Sequence, residues 1–107
     1  SNLTDLRLYN NQLTGTLPKT FTRLSQLRDL YLQNNTLSGT LPASFCSLTE
    51  LTSLQLGLNN FTGTLPAAWF QLANLANLSL AFNQLSGPLP SLWVDGMPSM
   101  TDSNLYL

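Results

Sequence analysis

Two aspartates, Asp5 and Asp29, stand 24 residues apart, and each is followed two positions later by a residue type that anchors interfaces, Arg7 and Tyr31. On neighbouring strands of one sheet such carboxylates come within about 5 Å of each other, the separation used by a retaining glycosidase. The rest of that chemistry is missing. The chain has no histidine, no insertion long enough to wall a cleft, and no second constellation to hold a sugar ring. Cys46 is the only cysteine, so no internal disulfide or cysteine metal site forms. No glycine-rich phosphate loop links a strand to a helix, and no residues have metal-ligand spacing. We expect no catalysis, no metal and no cofactor.

What positions those residues is a 24-residue period. Leu3, Leu6, Leu8, Asn11, Leu13, Gly15, Leu17, Pro18, Phe21 and Leu24 are answered by Leu27, Leu30, Leu32, Asn35, Leu37, Gly39, Leu41, Pro42, Phe45 and Leu48, and further registers start at Leu51 and Leu75. A period of this size denotes a solenoid whose coils bury their apolar edges only by stacking. In each coil Leu-x-x-Leu-x-Leu alternates inward leucines with outward polar residues, the pattern of a strand with one buried face. Stacking then places these strands side by side, about 4.8 Å apart, in a parallel sheet.

The chain leaves the sheet at Asn11, Asn35, Asn59 and Asn83. A buried amide there has enough donors and acceptors to satisfy its own turn and the adjacent one. Next comes Leu-Thr/Ser-Gly-Thr-Leu-Pro, with Phe61 for the first leucine in the third coil and Pro88 breaking the pattern in the fourth. Glycine permits a bend there, and proline suits the first position of a short helical turn. Phe21, Phe45, Trp69 and Trp93 should align as an aromatic spine.

The outward strand positions form columns. The polar and aromatic ones, Asp5, Arg7, Tyr9, Asp29, Tyr31, Gln33 and Gln55, make the candidate contact patch, because side chains on rigid strands bind with little ordering cost. Alternatively they are only the solvated face of the sheet, with Asp5 and Arg7 pairing weakly. Gly57, Leu58, Ala81 and Phe82 make the later coils less polar, which marks either an apolar contact or a neighbouring segment packed there. N-glycosylation sequons occur at Asn2, Asn34, Asn60 and Asn77, a slight excess over chance that leans toward an extracellular setting.

The charged fraction is 8% and the net charge −1, so the basic stripe that nucleic acid or an anionic membrane requires is missing. No apolar run reaches the roughly 18 residues of a membrane span. The fourth coil holds an insertion marked by Asp95-Gly96, and allowing one extra residue aligns Met100–Tyr106 with Leu3–Tyr9. This divides the chain into units 3–26, 27–50, 51–74, 75–99 and a partial unit 100–107. Neither end has a polar or cysteine-bearing cap, so an interior piece of a longer array is expected.

The pattern Leu-x-x-Leu-x-Leu-x-x-Asn-x-Leu-x-Gly-x-Leu-Pro-x-x-Phe-x-x-Leu resembles leucine-rich repeats of the 24-residue plant type. Such repeats occur in plant receptor-like ectodomains, and similar ones in algal proteins and trypanosomatid surface antigens. The resemblance implies an α/β, right-handed leucine-rich repeat solenoid with a concave parallel β-sheet, short second strands and short 3-10 turns on the convex side. It implies an extracellular or cell-surface binding module for a protein, peptide or glycan, with no nucleic acid partner and no membrane insertion in this segment. Two other functions compete. One is a structural spacer or wall-like glycoprotein, suggested by the low charge and many hydroxyl and amide groups. The other is ice binding through a stacked ladder of Thr14-Gly15-Thr16, Ser38-Gly39-Thr40 and Thr62-Gly63-Thr64.

Overall fold

The structure is a computed structural model that describes residues 3–87, Pro90, Trp93 and the backbone of Leu105–Tyr106. In chain order the strands and turns are β1 (Asp5–Arg7), β2 (Thr14–Gly15), η1 (Lys19–Arg23), β3 (Asp29–Tyr31), β4 (Thr36–Thr40), η2 (Ala43–Ser47), β5 (Ser53–Gln55), β6 (Asn60–Thr64), η3 (Ala67–Gln71), β7 (Asn77–Ser79), β8 (Gln84–Ser86) and β9 (Leu105–Tyr106), where η marks a 3-10 turn. The odd-numbered strands form a five-stranded parallel sheet in the order β1-β3-β5-β7-β9, and the even-numbered strands form a second, four-stranded one. The chain is a solenoid of stacked coils, as its period predicts, with the α/β leucine-rich repeat architecture that the resemblance implies.

In the first sheet the register repeats the sequence period. Leu6, Leu30, Leu54 and Leu78 stand opposite one another in a row. Leu30, Leu54 and Leu78 are completely buried, since each has a leucine row on both flanks and the coil's interior beneath. The core is a stack of such rows, continued by Leu27, Leu51 and Leu75 and by Leu48 and Leu72.

The aromatic spine forms over three of its four expected members, while Phe21 is partly buried against the core. Phe45 and Trp69 stack with ring centroids 6.4 Å apart, and Trp69 and Trp93 at 6.2 Å. Each indole also uses its polar edge: Trp69 Nε1 donates to the Pro42 carbonyl at 2.9 Å and Trp93 Nε1 to the Pro66 carbonyl at 3.0 Å. Both bonds reach back to the preceding coil, so the tryptophans fasten coils together in a way phenylalanine cannot. Pro18, Pro42 and Pro66 sit one residue earlier than the first helical position, with extended ψ, and their carbonyls close the turns by accepting from Phe21, Phe45 and Trp69. Cys46 is free and half-buried, not enclosed in the core.

Two registers differ from the sequence reading. The second sheet does not repeat at 24: Thr14 pairs Thr36, Thr40 pairs Thr62, and Thr64 pairs Ser86. Each strand is therefore sheared by two residues against its neighbour, and the Thr-Gly-Thr segments do not lie side by side. The shear lets the Thr16 methyl group cover Gly39, where an added Cβ would lie 2.8 Å from Thr16 Cγ2 and the backbone φ is +84°. Thr40 covers Gly63 in the same manner. The second departure is β9, which pairs Leu105 with Leu78 and Tyr106 with Ser79. Leu105 thus takes the Leu6 place, where the single-insertion alignment gives it the Leu8 place. That alignment would have set Ser103 opposite Leu78 in an all-leucine row. Residues 100–104 lie outside those described.

The asparagines act as predicted. Asn59 Nδ2 donates to the carbonyls of Leu56 and Gly57 in its own coil and of Leu32 in the preceding one, while its Oδ1 accepts from Leu37 N. Asn35 and Asn83 repeat the arrangement, whereas among the described residues Asn11 bonds only within its own turn. Replacing Asn59 by Ala strands the buried Leu37 N–H and removes three bonds to carbonyls that keep one other donor each, so it should lower stability by about 2–4 kcal/mol. Asn11→Ala, at an exposed site, should cost about 1 kcal/mol or less. Urea denaturation of the two variants followed by circular dichroism measures the difference.

Candidate functional site

The first sheet carries Asp5, Asp29 and Ser53 in one column and Arg7, Tyr31 and Gln55 in the next, each in direct register across β1, β3 and β5. Alternation along the strands turns these side chains outward because the intervening leucines are drawn into the core. The predicted neighbours are therefore adjacent, and four of them touch.

Arg7 is the centre of that group. Its Nε lies 3.0 and 3.2 Å from the two oxygens of Asp5, and Nη2 donates to the same carboxylate at 3.0 Å. The guanidinium carbon also stands 5.1 Å from the centroid of the Tyr31 ring, within range of a cation–π attraction. Tyr9 meets Tyr31 edge to face, with centroids 6.5 Å apart and planes at 88°. Hydrogen bonding to Asp5 raises the Arg7 pKa above its ordinary value, so the guanidinium stays charged throughout the working pH range. The ion pair is open to solvent, and its value lies in holding Arg7 over the Tyr31 ring.

Asp5 and Asp29 stand opposite each other as predicted, but each has its own partner. Asp5 faces the guanidinium, and Asp29 Oδ1 lies 3.5 Å from the Thr52 hydroxyl.

Gln33 and Gln55 flank the cluster without joining it. Gln55 Nε2 donates to Ser53 Oγ at 3.4 Å, while Gln33 Oε1 is buried with no hydrogen-bond partner. Of the sequons, Asn34, Asn60 and Asn77 are exposed, and Asn2 lies outside the described residues. Asn34 Nδ2 donates to Asn10 Oδ1 at 2.7 Å. Among the described residues no group of acidic, cysteine or histidine side chains is placed to hold a metal, and no helix is long and apolar enough to cross a membrane.

Sequence reasoning did not foresee the Arg7–Tyr31 stacking. Its signal was an Arg and a Tyr at the same repeat position, which parallel pairing sets one strand apart. Leu58 and Phe82, read from the sequence as an apolar contact or as the seat of a neighbouring segment, are 50% and 78% exposed.

Comparison with known proteins gives concordant results. The family model described as "Leucine rich repeat" matches residues 1–61, and a second, "Leucine Rich Repeat", matches residues 74–95. No curated protein matches the chain. Among solved structures, the ectodomain of the receptor kinase SOBIR1 from Arabidopsis thaliana is 34% identical, with a TM-score of 0.83, 97% of this chain and 59% of that chain covered. The PEPR1–AtPEP1 complex aligns at 28% identity and a TM-score of 0.88, over 92% of this chain and 14% of that one. A plant ice-binding protein aligns at 32% identity and a TM-score of 0.87, over 96% and 34%. The chain thus spans between 14% and 59% of the length of these proteins.

Because the ion pair is solvent-exposed, Arg7→Ala should leave the thermal midpoint unchanged within experimental scatter, at low and at high salt. Thermal melts followed by circular dichroism check this.

Proposed function

The chain belongs to the leucine-rich repeat family, and from that premise we propose that it is a non-catalytic recognition module, extracellular or at the cell surface. Its concave sheet binds a protein or peptide through Asp5, Arg7, Tyr9, Asp29, Tyr31, Gln33 and Gln55. The observation that carries this reading is the Asp5–Arg7–Tyr31–Tyr9 cluster, in which a charged group and two aromatic rings are held on adjacent strands by contacts with one another. Preorganisation of this kind lowers the ordering cost of association, and Arg and Tyr are the side chains that most often dominate binding energy. Two of the similar structures support it: one is a receptor-kinase ectodomain and another is the complex of PEPR1 with AtPEP1.

Selection of a phage-displayed library of random 12-residue peptides against the 107-residue chain tests the proposal. Selected peptides should lose at least about tenfold in affinity on Tyr31→Ala and on Arg7→Ala, the loss of an anchoring contact worth about 1.4 kcal/mol. Equal affinity for wild type and both variants, measured by biolayer interferometry, would remove this patch from consideration.

A second reading is ice binding, supported by the outward hydroxyls of the second sheet and by the similarity to a plant ice-binding protein. Thr14, Thr16, Thr36, Thr40, Thr62, Thr64 and Ser86 are all exposed. The two-residue shear weakens this reading, because it interrupts the hydroxyl rows with Asn60 opposite Ser38 and Gln84 opposite Thr62. If the second sheet is an ice face, thermal hysteresis should be measurable by nanolitre osmometry and should fall severalfold in Thr40→Leu/Thr64→Leu. A third role, as a glycosylated spacer, draws on the exposure of Asn34, Asn60 and Asn77; a glycan at Asn77 would stand on the concave sheet and obstruct recognition there.

A further inference from the structure

Three sequons lie among the described residues, Asn34-Asn35-Thr36, Asn60-Phe61-Thr62 and Asn77-Leu78-Ser79, and the fold places them differently. An N-linked glycan requires the asparagine amide and a hydroxyl two residues on, and the folded chain must then carry a bulky hydrophilic group at that amide. Attachment precedes folding, and cells retain or degrade chains that fail to fold. The glycans found on secreted chains are therefore those that the fold tolerates.

Asn34 is committed elsewhere. It sits in the row Asn10 (φ 59°), Asn34 (φ 60°), Leu58 (φ 57°) and Phe82 (φ 60°), where each coil leaves the first sheet through left-handed backbone. Its Nδ2 donates to Asn10 Oδ1 at 2.7 Å, so a sugar on that nitrogen meets the amide of the adjacent coil. Asn77 lies in β7, which pairs with β5 along one flank and with β9 along the other, and a glycan there rises from the interior of the concave sheet.

Asn60 is placed otherwise. It opens β6, along which Asn60 is exposed, Phe61 buried and Thr62 exposed. The Phe61 side chain is completely buried, and its N–H donates to Asn83 Oδ1 at 3.0 Å. The middle of the sequon is thus pinned to the core, while the amide and the hydroxyl face outward on the same side of the strand. The two-residue shear of the second sheet adds room. On one flank Asn60 stands opposite Ser38, a small side chain. On the other, β8 starts at Gln84 opposite Thr62, so that strand does not extend beside Asn60.

We infer that Asn60 is the N-glycan acceptor among these three and that its glycan stands on the second sheet, clear of the concave one. The inference rests on the extracellular setting proposed above. The donor is an oligosaccharide carried on a lipid diphosphate. Asn60 Nδ2 gives up one proton and bonds to the anomeric carbon, the bond from that carbon to the diphosphate oxygen breaks, and the lipid diphosphate leaves with the electron pair. The attached sugar rises beside the hydroxyls of Ser38 and Thr62, its neighbours across and along the strands. It stands in the way of a flat ice surface at those rows and leaves Asp5, Arg7, Tyr9 and Tyr31, which lie on the other sheet, uncovered.

Secretion of the 107-residue chain behind a cleavable leader from cultured eukaryotic cells tests the assignment. Enzymatic removal of the glycan in heavy-oxygen water converts each occupied asparagine to a labelled aspartate, which peptide mass spectrometry locates. Most secreted chains should carry the label at Asn60. Asn60→Gln and Thr62→Ala should each abolish that label and remove the mass of one glycan from the intact chain, whereas Thr62→Ser should keep both. An unlabelled Asn60, or label at Asn34 or Asn77 equal to that at Asn60, would overturn the assignment and leave the recognition proposal standing, since that proposal is read from peptide affinity. Label at Asn60 in the secreted chain, with an unmodified Asn60 in the protein from its native source, would uphold the acceptor and overturn the extracellular setting.

Discussion

Each described junction between coils depends on one asparagine amide. Where the chain leaves the sheet it cannot continue the strand ladder, and several backbone groups of two adjacent coils would lie unpaired in an apolar interior. Asn35, Asn59 and Asn83 settle those groups together, each donating to carbonyls of its own coil and the preceding coil and accepting one amide from the latter. Only a side chain with both donors and an acceptor on a short stem does this. The leucine rows supply most of the apolar burial, but they pack at one spacing because the amides hold successive coils in register. Asn11, whose amide donates to the Leu8 and Tyr9 carbonyls of its own turn, is exposed.

On the opposite side of each coil the joining is done by other means. Threonine methyls cap the next coil's glycines, and indole N–H groups bond to the preceding coil's proline carbonyls. Because stability is met by side chains that point inward or along the stack, the outward strand positions are released from structural duty. That release explains how neighbouring coils with nearly identical interiors carry Arg7, Tyr31, Gln55 and Ser79 at one and the same outward position.

The concave face is accordingly divided. The first two coils carry charge, aromatic rings and an asparagine pair, all engaged with one another. The next two carry small residues at the strand ends and apolar residues on a backbone conformation that disfavours them. Both halves depart from what stacking alone asks for, the first by organising exposed side chains and the second by tolerating strain.

The fold was legible because its rules are local and repeated: the spacing of the leucines, one asparagine per coil, a glycine at the bend and an aromatic residue after each proline. Parallel stacking then brings residues 24 apart together, so the adjacency of Asp5 with Asp29 and of Arg7 with Tyr31 followed from counting. The glycine bends and the aromatic spine followed in the same way. What counting could not supply was anything set by how coils fit against each other. The second sheet slips by two residues to seat threonine methyls over glycines, and β9 takes the register that keeps a leucine in the buried row. The stacking of Arg7 on Tyr31 and the left-handed turns at Leu58 and Phe82 belong to that second group. Periodicity in one chain specifies which residues face the core, but the offsets between coils and the rotamers on their surface are settled by packing in three dimensions.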